Sequence, residues 1–535
     1  MKASLRTHLT ILAESASIYP SRSAIRQPVV DDSTKQILHW RSITYSELHS
    51  DVESFARYWA RTLAAQGLPR RSVVGLWLGG LTYVDLLHIY GMTRAGYVPQ
   101  LFSLKLSNPD VIYELLHKAN AKTLIYDASY TPDLSSCPIP VHSAIDVRAA
   151  GPQTAPLPSM SDISKVKGSD IVFIYHTSGS TSGCPKLIPC SYSWLHTMIT
   201  KAGQVSKPIK LTKQDVTVYM GSVCHIGQTF MFLGSLQHGS CTVQPTRIDF
   251  SSDELLDIIA RCGLNRLNQF PSFLGIHMRN SRQDSKLLAQ LCALDEIFYS
   301  GQPLPREDEE WMYKNNMNVT NTFANTECGV MLVSKRGGGR PDPPVHPLEG
   351  AKYGFFPVSD SSNFQNVNGQ LLELVILADS PDCPDRSLRA PDGHYHTGDL
   401  FLEVASGAYV SRGRNDDWIK SSTALRCDTR AIEDNVRATC GDLITQCVVV
   451  GNGRPSPALF VETSSSMPED RLKREIIRRT RHFHARRYLH ERITSTKMVV
   501  IVPRNALPCT ATKGNVRRRA VEEMFKAELD QIFSS

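Results

Sequence analysis

The feature that most constrains this chain is a short apolar strand that runs into a loop of Thr, Ser and Gly and ends in a lysine, over Ile171–Lys186. Small residues let backbone N–H groups approach a ligand, and hydroxyls add donors, so such a loop can wrap phosphates. The P-loop pattern is not met, because Cys184 follows Gly179 by five residues and Leu187 follows the lysine. Taken alone, the segment could equally be a linker or a turn. The strand before it and the Pro-Lys pair after it favour phosphate binding.

The first 150 residues alternate between helix-like and strand-like segments. Apolar residues recur at helical spacing over Asp51–Ala65, whereas Ser72–Leu78 and Leu124–Tyr126 are short apolar runs. This alternation predicts α/β layers around a parallel sheet. Loops rich in Pro, Gly, Ala or Ser are predicted at Ala149–Ser164, Arg336–Pro347 and Ser380–Gly393.

Beyond Trp418 the pattern changes to strands, at Gln446–Val450 and Lys497–Val502, with basic helices between them. This suits a separate small α+β domain, with a boundary near Asn415–Asp416. The sequence therefore predicts an α/β chain in two parts. Residues 1–415 form a large N-terminal domain of layered sheets and helices, and residues 416–535 form a small, mobile C-terminal α+β domain.

Composition limits the class of protein. The 535 residues are 41% apolar and 21% charged, which excludes a mainly disordered chain, a collagen-like fibre and a disulfide-stapled miniprotein. No apolar run reaches the roughly 18 to 20 residues of a membrane span. Glu14 interrupts the apolar stretch Leu9–Ala13, which favours an amphipathic helix over a signal peptide. The 13 cysteines lack C-x-x-C spacing and indicate reduced thiols in a cytoplasmic protein.

Positive charge is concentrated near the C-terminus. Residues 416–535 hold 21 Lys and Arg against 15 Asp and Glu, and the density is greatest over Arg471–Arg487. One interpretation is a solvated helix face. The alternative is a surface for an anionic partner, either the phosphates of coenzyme A or an acidic carrier protein. Nucleic acid fits less well and is not expected as a partner.

The segment Thr177–Lys186 resembles the T-S-G-[ST]-T-G-x-P-K signature of the adenylate-forming enzymes, which include acyl-CoA synthetases, nonribosomal adenylation domains and luciferases. The resemblance recurs in order over roughly residues 15–525, so it is far more specific than one short match. Arg426–Glu433 looks most like fungal standalone members, which points to secondary metabolism. The other segments similar to family motifs are Ile43–Leu48, Arg94–Pro99, Ser300–Pro303, Asn321–Glu327, Tyr395–Leu400, Gly413–Lys420 and Leu507–Gly514.

The resemblance implies a catalytic role for each of several residues. Attack of a carboxylate on the α-phosphate of ATP builds negative charge, so the site needs donors, cations and a metal. Lys513 would bridge carboxylate and phosphate, and Thr326 would hydrogen-bond the α-phosphate. Glu327 would hold Mg²⁺, which prefers oxygen ligands. Asp399 would accept both ribose hydroxyls, with Arg414 beside the ribose.

The resemblance also implies a nucleotide-binding set. Phe323 would stack on adenine where the family usually has Tyr, and Asp416 would be the hinge of a lid domain that carries the catalytic lysine. The pyrophosphate loop and the adenine-binding positions would be Thr177, Ser178, Gly179, Ser180, Thr181, Gly183, Lys186, Gly301, Gln302, Phe323 and Ala324.

Four features depart from the family pattern. Ser182 lengthens the phosphate loop by one residue, and Ala324 replaces the usual glycine. Lys513 precedes Gly514 instead of following it, as in some fungal standalone and reductase-linked members. Lys420–Arg426 lacks the glycines that the family uses where this hairpin enters the site for thioester formation. This last departure bears on the thioester step more than on adenylation.

The substrate prediction depends on the segment Cys224–Gly239. Aligned on its final glycine, it places Ile226 where amino-acid-activating domains carry an Asp for the substrate ammonium. An apolar residue would leave a buried ammonium unpaired, which is costly, so an aryl, fatty or small organic acid without a free α-amino group is predicted. His225 falls where acyl- and aryl-CoA synthetases carry a gate. The other predicted pocket residues are Cys328, Gly329, Val330 and Met331.

The sequence thus predicts an AMP-forming acid–thiol ligase. ATP and Mg²⁺ would convert a carboxylic acid to an acyl-adenylate, and coenzyme A would then accept the acyl group. Loading of a carrier protein or an amine in trans is an alternative, distinguished by whether free coenzyme A is consumed. A degenerate relative is another, which would bind nucleotide or an acyl group without turnover.

Overall fold

Helices and strands alternate through most of the chain in the computed structural model, as the sequence predicts. The structure describes residues 5–104, 106, 108–129, 134–151, 153–159, 166–177, 185–301, 304–337, 341–358, 370–415, 418–422, 426–487, 489–509 and 516–533.

Many of the helices begin at a side chain that caps the first turn, as at Thr7, Thr44 and Thr82, where the hydroxyl accepts a backbone hydrogen bond. With the cap at Thr44, the second helix begins at Tyr45, six residues before its predicted start at Asp51. In the described part of the chain the α-helices α1–α14 are His8–Ile18, Tyr45–Ala65, Tyr83–Arg94, Pro109–Lys118, Tyr192–Val205, Ile226–His238, Ser252–Asp257, Pro271–Ser281, Ser285–Ala293, Arg306–Lys314, Thr429–Cys440, Glu469–Ala485, Arg518–Met524 and Lys526–Phe533.

The strands include the segments predicted near Ser72–Leu78, Leu124–Tyr126 and Gln446–Val450. The predicted loop Arg336–Pro347 is wrong at its end, because its last three residues form β15 and pair with β14. Among the described residues the strands β1–β24 are Ser23–Val30, Ile37–Thr44, Val73–Leu78, Val98–Ser103, Thr123–Asp127, Val141–Ala144, Ile171–Thr177, Lys186–Ser191, Val216–Val218, Cys241–Val243, Arg266–Gln269, Glu296–Ser300, Val319–Asn325, Gly329–Ser334, Val345–Pro347, Tyr353–Pro357, Leu371–Ile376, Tyr395–Ala405, Ala408–Arg414, Trp418–Lys420, Arg426–Asp428, Gln446–Val450, Ala458–Glu462 and Val499–Val502.

Two large sheets form the N-terminal part. The six-stranded sheet has the order β6-β5-β3-β4-β7-β8 and is parallel except for the β7–β8 pair. The thirteen-stranded sheet has the order β16-β17-β18-β19-β15-β14-β13-β12-β11-β9-β10-β1-β2. Along this order, neighbouring strands from β13 to β1 pair in parallel. Neighbouring strands from β16 through β17, β18, β19, β15 and β14 to β13 pair antiparallel. The predicted parallel layering is confirmed, and the antiparallel half is an addition to it.

The C-terminal part is the smaller α+β unit that the sequence predicts. Its three-stranded sheet β22-β23-β24 shares an apolar core with α11 and α12. The basic segment forms α12, whose Leu472 and Ile476 are buried. On its outer side Glu475 accepts hydrogen bonds from Arg478 and Arg479, as a solvated, ion-paired face requires.

The remaining composition-based predictions concern thiols and membranes. The 12 cysteines of the described part of the chain form no disulfide. Within the same residues, no helix has the length and the apolar run that crossing a bilayer would need.

A buried histidine gives the fold a defined response to acid. His277 on α8 is fully buried, and burial lowers its pKa to about 4. Since the unfolded chain binds this proton near the usual pKa of about 6.5, the free energy of unfolding falls as the pH falls between these values. The free energy of unfolding of the wild-type protein decreases between pH 7 and pH 5, and we expect this decrease to be smaller by about 2 kcal/mol in His277→Gln. Urea unfolding at each pH measures this. The exposed His39→Gln is the control, and a wild-type pH dependence in His277→Gln would contradict the prediction.

Candidate active site

The residues expected to bind metal and phosphate lie in the tight turn between β13 and β14. Thr326, Glu327 and Cys328 form this turn, and the amide of Cys328 donates to the Asn325 side chain at 2.7 Å. Tyr395 on β18 lies near the Glu327 carboxylate, and burial followed by that neighbouring charge holds the pKa of the phenol far above its usual value. The turn therefore presents the Glu327 carboxylate at the carboxyl end of β13.

The residues expected at the ribose lie opposite each other in the β18–β19 pair. Asp399 pairs with Arg414 in the ladder, and their side chains approach to 3.5 Å. The Thr397 hydroxyl accepts from the Asp399 amide at 3.0 Å and donates to the Leu374 carbonyl at 2.7 Å. Gly398 has a φ of 70°, and a Cβ there would lie 3.2 Å from the Arg414 guanidinium. A glycine is thus required at this bend.

The two ends of the predicted phosphate loop meet in the six-stranded sheet. Thr177 ends β7 and pairs with Lys186, the exposed first residue of β8. The loop consequently leaves the sheet at the carboxyl end of β7, where α/β sheets bind ligands. The predicted contacts of Ser178, Gly179, Ser180, Thr181 and Gly183 lie outside the described residues.

The positions predicted to bind adenine lie at the ends of neighbouring parallel strands. Gly301 follows β12, and a Cβ there would be 3.4 Å from the Phe270 ring, which follows β11. Phe323 on β13 packs edge-to-face on Phe401, with ring centroids 4.9 Å apart. Ala324 pairs with Val330 beyond a register shift in the β13–β14 ladder. Gln302, Asp416 and Lys513 lie outside the described residues.

Four of the six predicted pocket residues divide between two apolar clusters. Ile226 and Val330 belong to the main core, and exposed His225 precedes the first turn of α6. Cys328 and Met331 are fully buried in a second cluster with the aromatic rings of β13 and β18. Gly329 has a φ of 65°, and a Cβ there would meet Met198 Sδ at 2.7 Å.

Sequence analysis missed His176, which directly precedes the phosphate loop. Its Nδ1 donates to the Leu101 carbonyl at 2.9 Å, and its ring stacks on Phe102 with centroids 4.3 Å apart. The other ring nitrogen therefore accepts from the Gln100 side-chain amide at 3.1 Å. Burial lowers the pKa of His176 to about 4, so the imidazole is neutral near pH 7. It holds the base of the loop without adding charge.

Also missed were two donors on α5, Trp194 and Lys201, which reach the carbonyls of Glu327 and Cys328. The sequence carries one signal for the lysine. Lys201 recurs seven residues after Trp194, beside apolar Met198 and Ala202, and so lies on the inward stripe of the helix.

Comparison with known proteins identifies the family. Residues 12–354 match the AMP-binding enzyme family, and residues 416–535 match the AMP-binding enzyme C-terminal domain. The chain belongs to the AMP-binding enzyme family. The resemblance to adenylate-forming enzymes that the motifs predict is therefore confirmed, and it is a family of acid-activating enzymes.

Several curated and solved relatives are known. The chain is 36% identical over 515 residues to the AMP-binding domain-containing enzyme iboA of Amanita muscaria, covering 94% of this chain and 98% of that one. It is 23% identical over 411 residues to acetyl-coenzyme A synthetase 2 of Candida albicans, covering 71% of this chain and 58% of that one. The fold matches o-succinylbenzoate CoA synthetase of Bacillus subtilis bound to its acyl-adenylate, with TM-score 0.73, 14% identity and coverage of 97% and 98%. It also matches the anthranilate CoA ligase AuaEII, with TM-score 0.73, 18% identity and 98% coverage of both chains.

The corner formed by Asp399 and Arg414 generates a prediction for nucleotide binding. We expect Asp399→Asn to weaken AMP binding by roughly 10- to 100-fold, because hydrogen bonds to a carboxylate are stronger than those to an amide. Calorimetric titration of AMP measures this. Asp392→Asn is the control, since Asp392 is an exposed partner of His396. Unchanged AMP affinity in Asp399→Asn would remove the carboxylate from the ribose site.

Proposed function

We propose that this protein adenylates a carboxylic acid that lacks a free α-amino group and then transfers the acyl group to coenzyme A. In the first step a carboxylate oxygen bonds to the α-phosphorus of ATP, and the bond to the bridging oxygen breaks to release pyrophosphate. In the second, the thiol sulfur bonds to the acyl carbon, AMP leaves, and the thiol proton passes to solvent. The reduced thiols suit a cytoplasmic location.

One observation carries the proposal, namely that the charges of Glu327 and Asp399 both act on Tyr395. Tyr395 opens the strand that holds Asp399, so the β13–β14 turn lies beside that strand. The residues proposed for metal and for ribose thus belong to one connected corner of the sheet, although they are far apart in sequence. A nucleotide bound with its ribose at Asp399 would extend its phosphates toward the turn.

The turn of Thr326, Glu327 and Cys328, here called the metal turn, suits Mg²⁺ that is supplied with the nucleotide. Among the described residues no three His, Cys, Asp or Glu side chains converge into a metal cluster, and the turn offers the single carboxylate of Glu327. Mg²⁺ commonly binds one or two carboxylates and completes its shell with phosphate oxygens and water. Bound there, it would neutralise charge on the phosphates, while Thr326 would donate to the α-phosphate and Lys513 would bridge it to the substrate carboxylate.

The acid is proposed to lack an α-amino group because of what surrounds the pocket candidates. Ile226 is buried at the start of α6, where a substrate ammonium would meet an apolar side chain. The buried carboxylate of Asp382 is already engaged by Lys201 at 2.7 Å. A buried ammonium would be left unpaired at Ile226, so aryl, fatty or small organic acids are the proposed substrates.

The acceptor is proposed to be coenzyme A, with a carrier protein or an amine as the alternative. Relatives of both kinds are known, since acetyl-coenzyme A synthetases and malformin synthetase each match part of the chain at 23–25% identity. The hairpin of β20 and β21, whose connection lacks the family's glycines, is the part of the chain that bears on this choice.

The adenylation step predicts acid-dependent release of AMP and pyrophosphate, with hydroxylamine as the trapping nucleophile. We expect turnover with an aryl or aliphatic acid pool and a loss of at least about 100-fold in Lys513→Ala, because one preorganised cation at a developing charge contributes that much. Lys497→Ala, another lysine of the C-terminal part, is the control.

Each contrary result has a separate meaning. Turnover with α-amino acids alone would contradict the inference from Ile226. ATP binding without turnover of any pool would favour the degenerate, non-catalytic relative. Thioester formation is tested by consumption of free coenzyme A in the presence of the acid, and adenylation without that consumption would favour a carrier protein or an amine.

A further inference from the structure

Helix α5 presents three polar side chains toward the interior at helical spacing. Trp194 donates from Nε1 to the Glu327 carbonyl at 2.9 Å, and Lys201 donates from Nζ to the Cys328 carbonyl at 2.8 Å. Thr197 lies between them, and its hydroxyl is shared between the Ser193 carbonyl of the same helix at 3.1 Å and the Pro381 carbonyl at 3.3 Å. One face of one helix therefore holds both the metal turn and the loop that follows β17.

The lysine of this face is a buried cation with a dedicated partner. Lys201 is 1% exposed, and its Nζ lies 2.7 Å from Oδ2 of the fully buried Asp382. The Asp382 carboxylate also accepts from the Tyr353 hydroxyl and the Ser380 hydroxyl, each at 2.5 Å. A buried ion pair often costs as much in desolvation as it gains in attraction, so stability alone does not explain its presence.

Trp194 and Lys201 together fix the backbone of the turn between β13 and β14. Trp194 holds the peptide group between Glu327 and Cys328, and Lys201 holds the next one, between Cys328 and Gly329. The Asn325 side chain accepts from the N–H of the first of these peptide groups, that of Cys328. With two successive peptide groups held, the main chain that follows Glu327 is fixed, and Tyr395 lies beside its carboxylate.

We propose that Trp194 and Lys201 are positioning residues for the metal turn, and that Asp382 permits Lys201 to remain charged in the core. The proposal rests on the proposed function of Glu327 as the Mg²⁺ ligand. Both residues act through the backbone carbonyls of Glu327 and Cys328. Because α5 directly follows β8, which begins at Lys186, the same helix also ties the metal turn to the phosphate loop.

The test compares two buried tryptophans that each donate one hydrogen bond. Trp194→Phe removes the donor to Glu327, and Trp59→Phe removes a donor to His88 Nδ1 at 3.0 Å, away from the turn. The readout is the factor by which Mg²⁺ strengthens ATP binding, from calorimetric titrations with and without the metal. We expect Trp194→Phe to reduce that factor about fivefold, the equivalent of one net hydrogen bond, and to leave AMP affinity unchanged.

Three outcomes decide between the proposals. A factor near wild type in Trp194→Phe, or an equal loss in Trp59→Phe, would overturn the positioning role. If Mg²⁺ does not strengthen ATP binding in the wild-type protein, the result contradicts the proposed metal role of Glu327, on which the positioning role depends. A reduced factor in Trp194→Phe, with a wild-type factor in Trp59→Phe, supports the positioning role of Trp194.

The lysine is tested by a variant chosen to fold. Lys201→Met alone leaves the Asp382 charge buried and unpaired, which is strongly destabilising, whereas Lys201→Met combined with Asp382→Asn removes both charges. We expect the double variant to keep a cooperative thermal unfolding transition and to show a reduced Mg²⁺ factor with unchanged AMP affinity. A wild-type Mg²⁺ factor in a folded double variant would contradict the role of Lys201.

Discussion

The parallel strands of the thirteen-stranded sheet have their carboxyl ends at the same end of the sheet, and the rest of the site depends on this arrangement. β11, β12 and β13 run side by side, so the residues that follow them, including Phe270, Gly301 and Thr326, lie at the same end of the sheet. Immediately afterwards β14 turns back antiparallel to β13. The tight turn this creates brings Glu327 to the position where parallel sheets generally bind ligands.

Register along these strands is fixed at their opposite ends. Arg266 opens β11 and Glu296 opens β12, and the two are partners in the ladder with their charges in direct contact. Arg266 also approaches the Asp215 carboxylate at 3.3 Å, and all three side chains are almost fully buried. Since a slip of one residue would separate these charges in the core, the network specifies register more than it adds stability. The placement of Phe270 and Gly301 follows from it.

Local pattern predicted much of the fold and the positions of several site residues, but not the contacts that hold them. The apolar runs predicted β3, β5 and β22, because strand periodicity is a property of adjacent residues. By contrast, the sequence predicts a loop over Ser380–Gly393, and the segment is one apart from a short 3₁₀ turn, yet Asp382 within it is fully buried. Its partner Lys201 lies 181 residues earlier in the chain. Nothing local in either segment specifies that pair, because it depends on how α5 packs against the antiparallel half of the sheet.

The pairing of Lys201 with Asp382 also resolves an electrostatic conflict at the metal turn. The Cys328 carbonyl is buried and needs a donor, and an ammonium is a strong one. An isolated ammonium beside Glu327 would, however, repel the Mg²⁺ that this carboxylate is proposed to hold. With Asp382 at 2.7 Å the two charges form a dipole whose field falls off faster than that of a single charge. The turn thereby gains a donor to its backbone, and the paired ammonium weakens the attraction of Glu327 for a cation less than an unpaired one would.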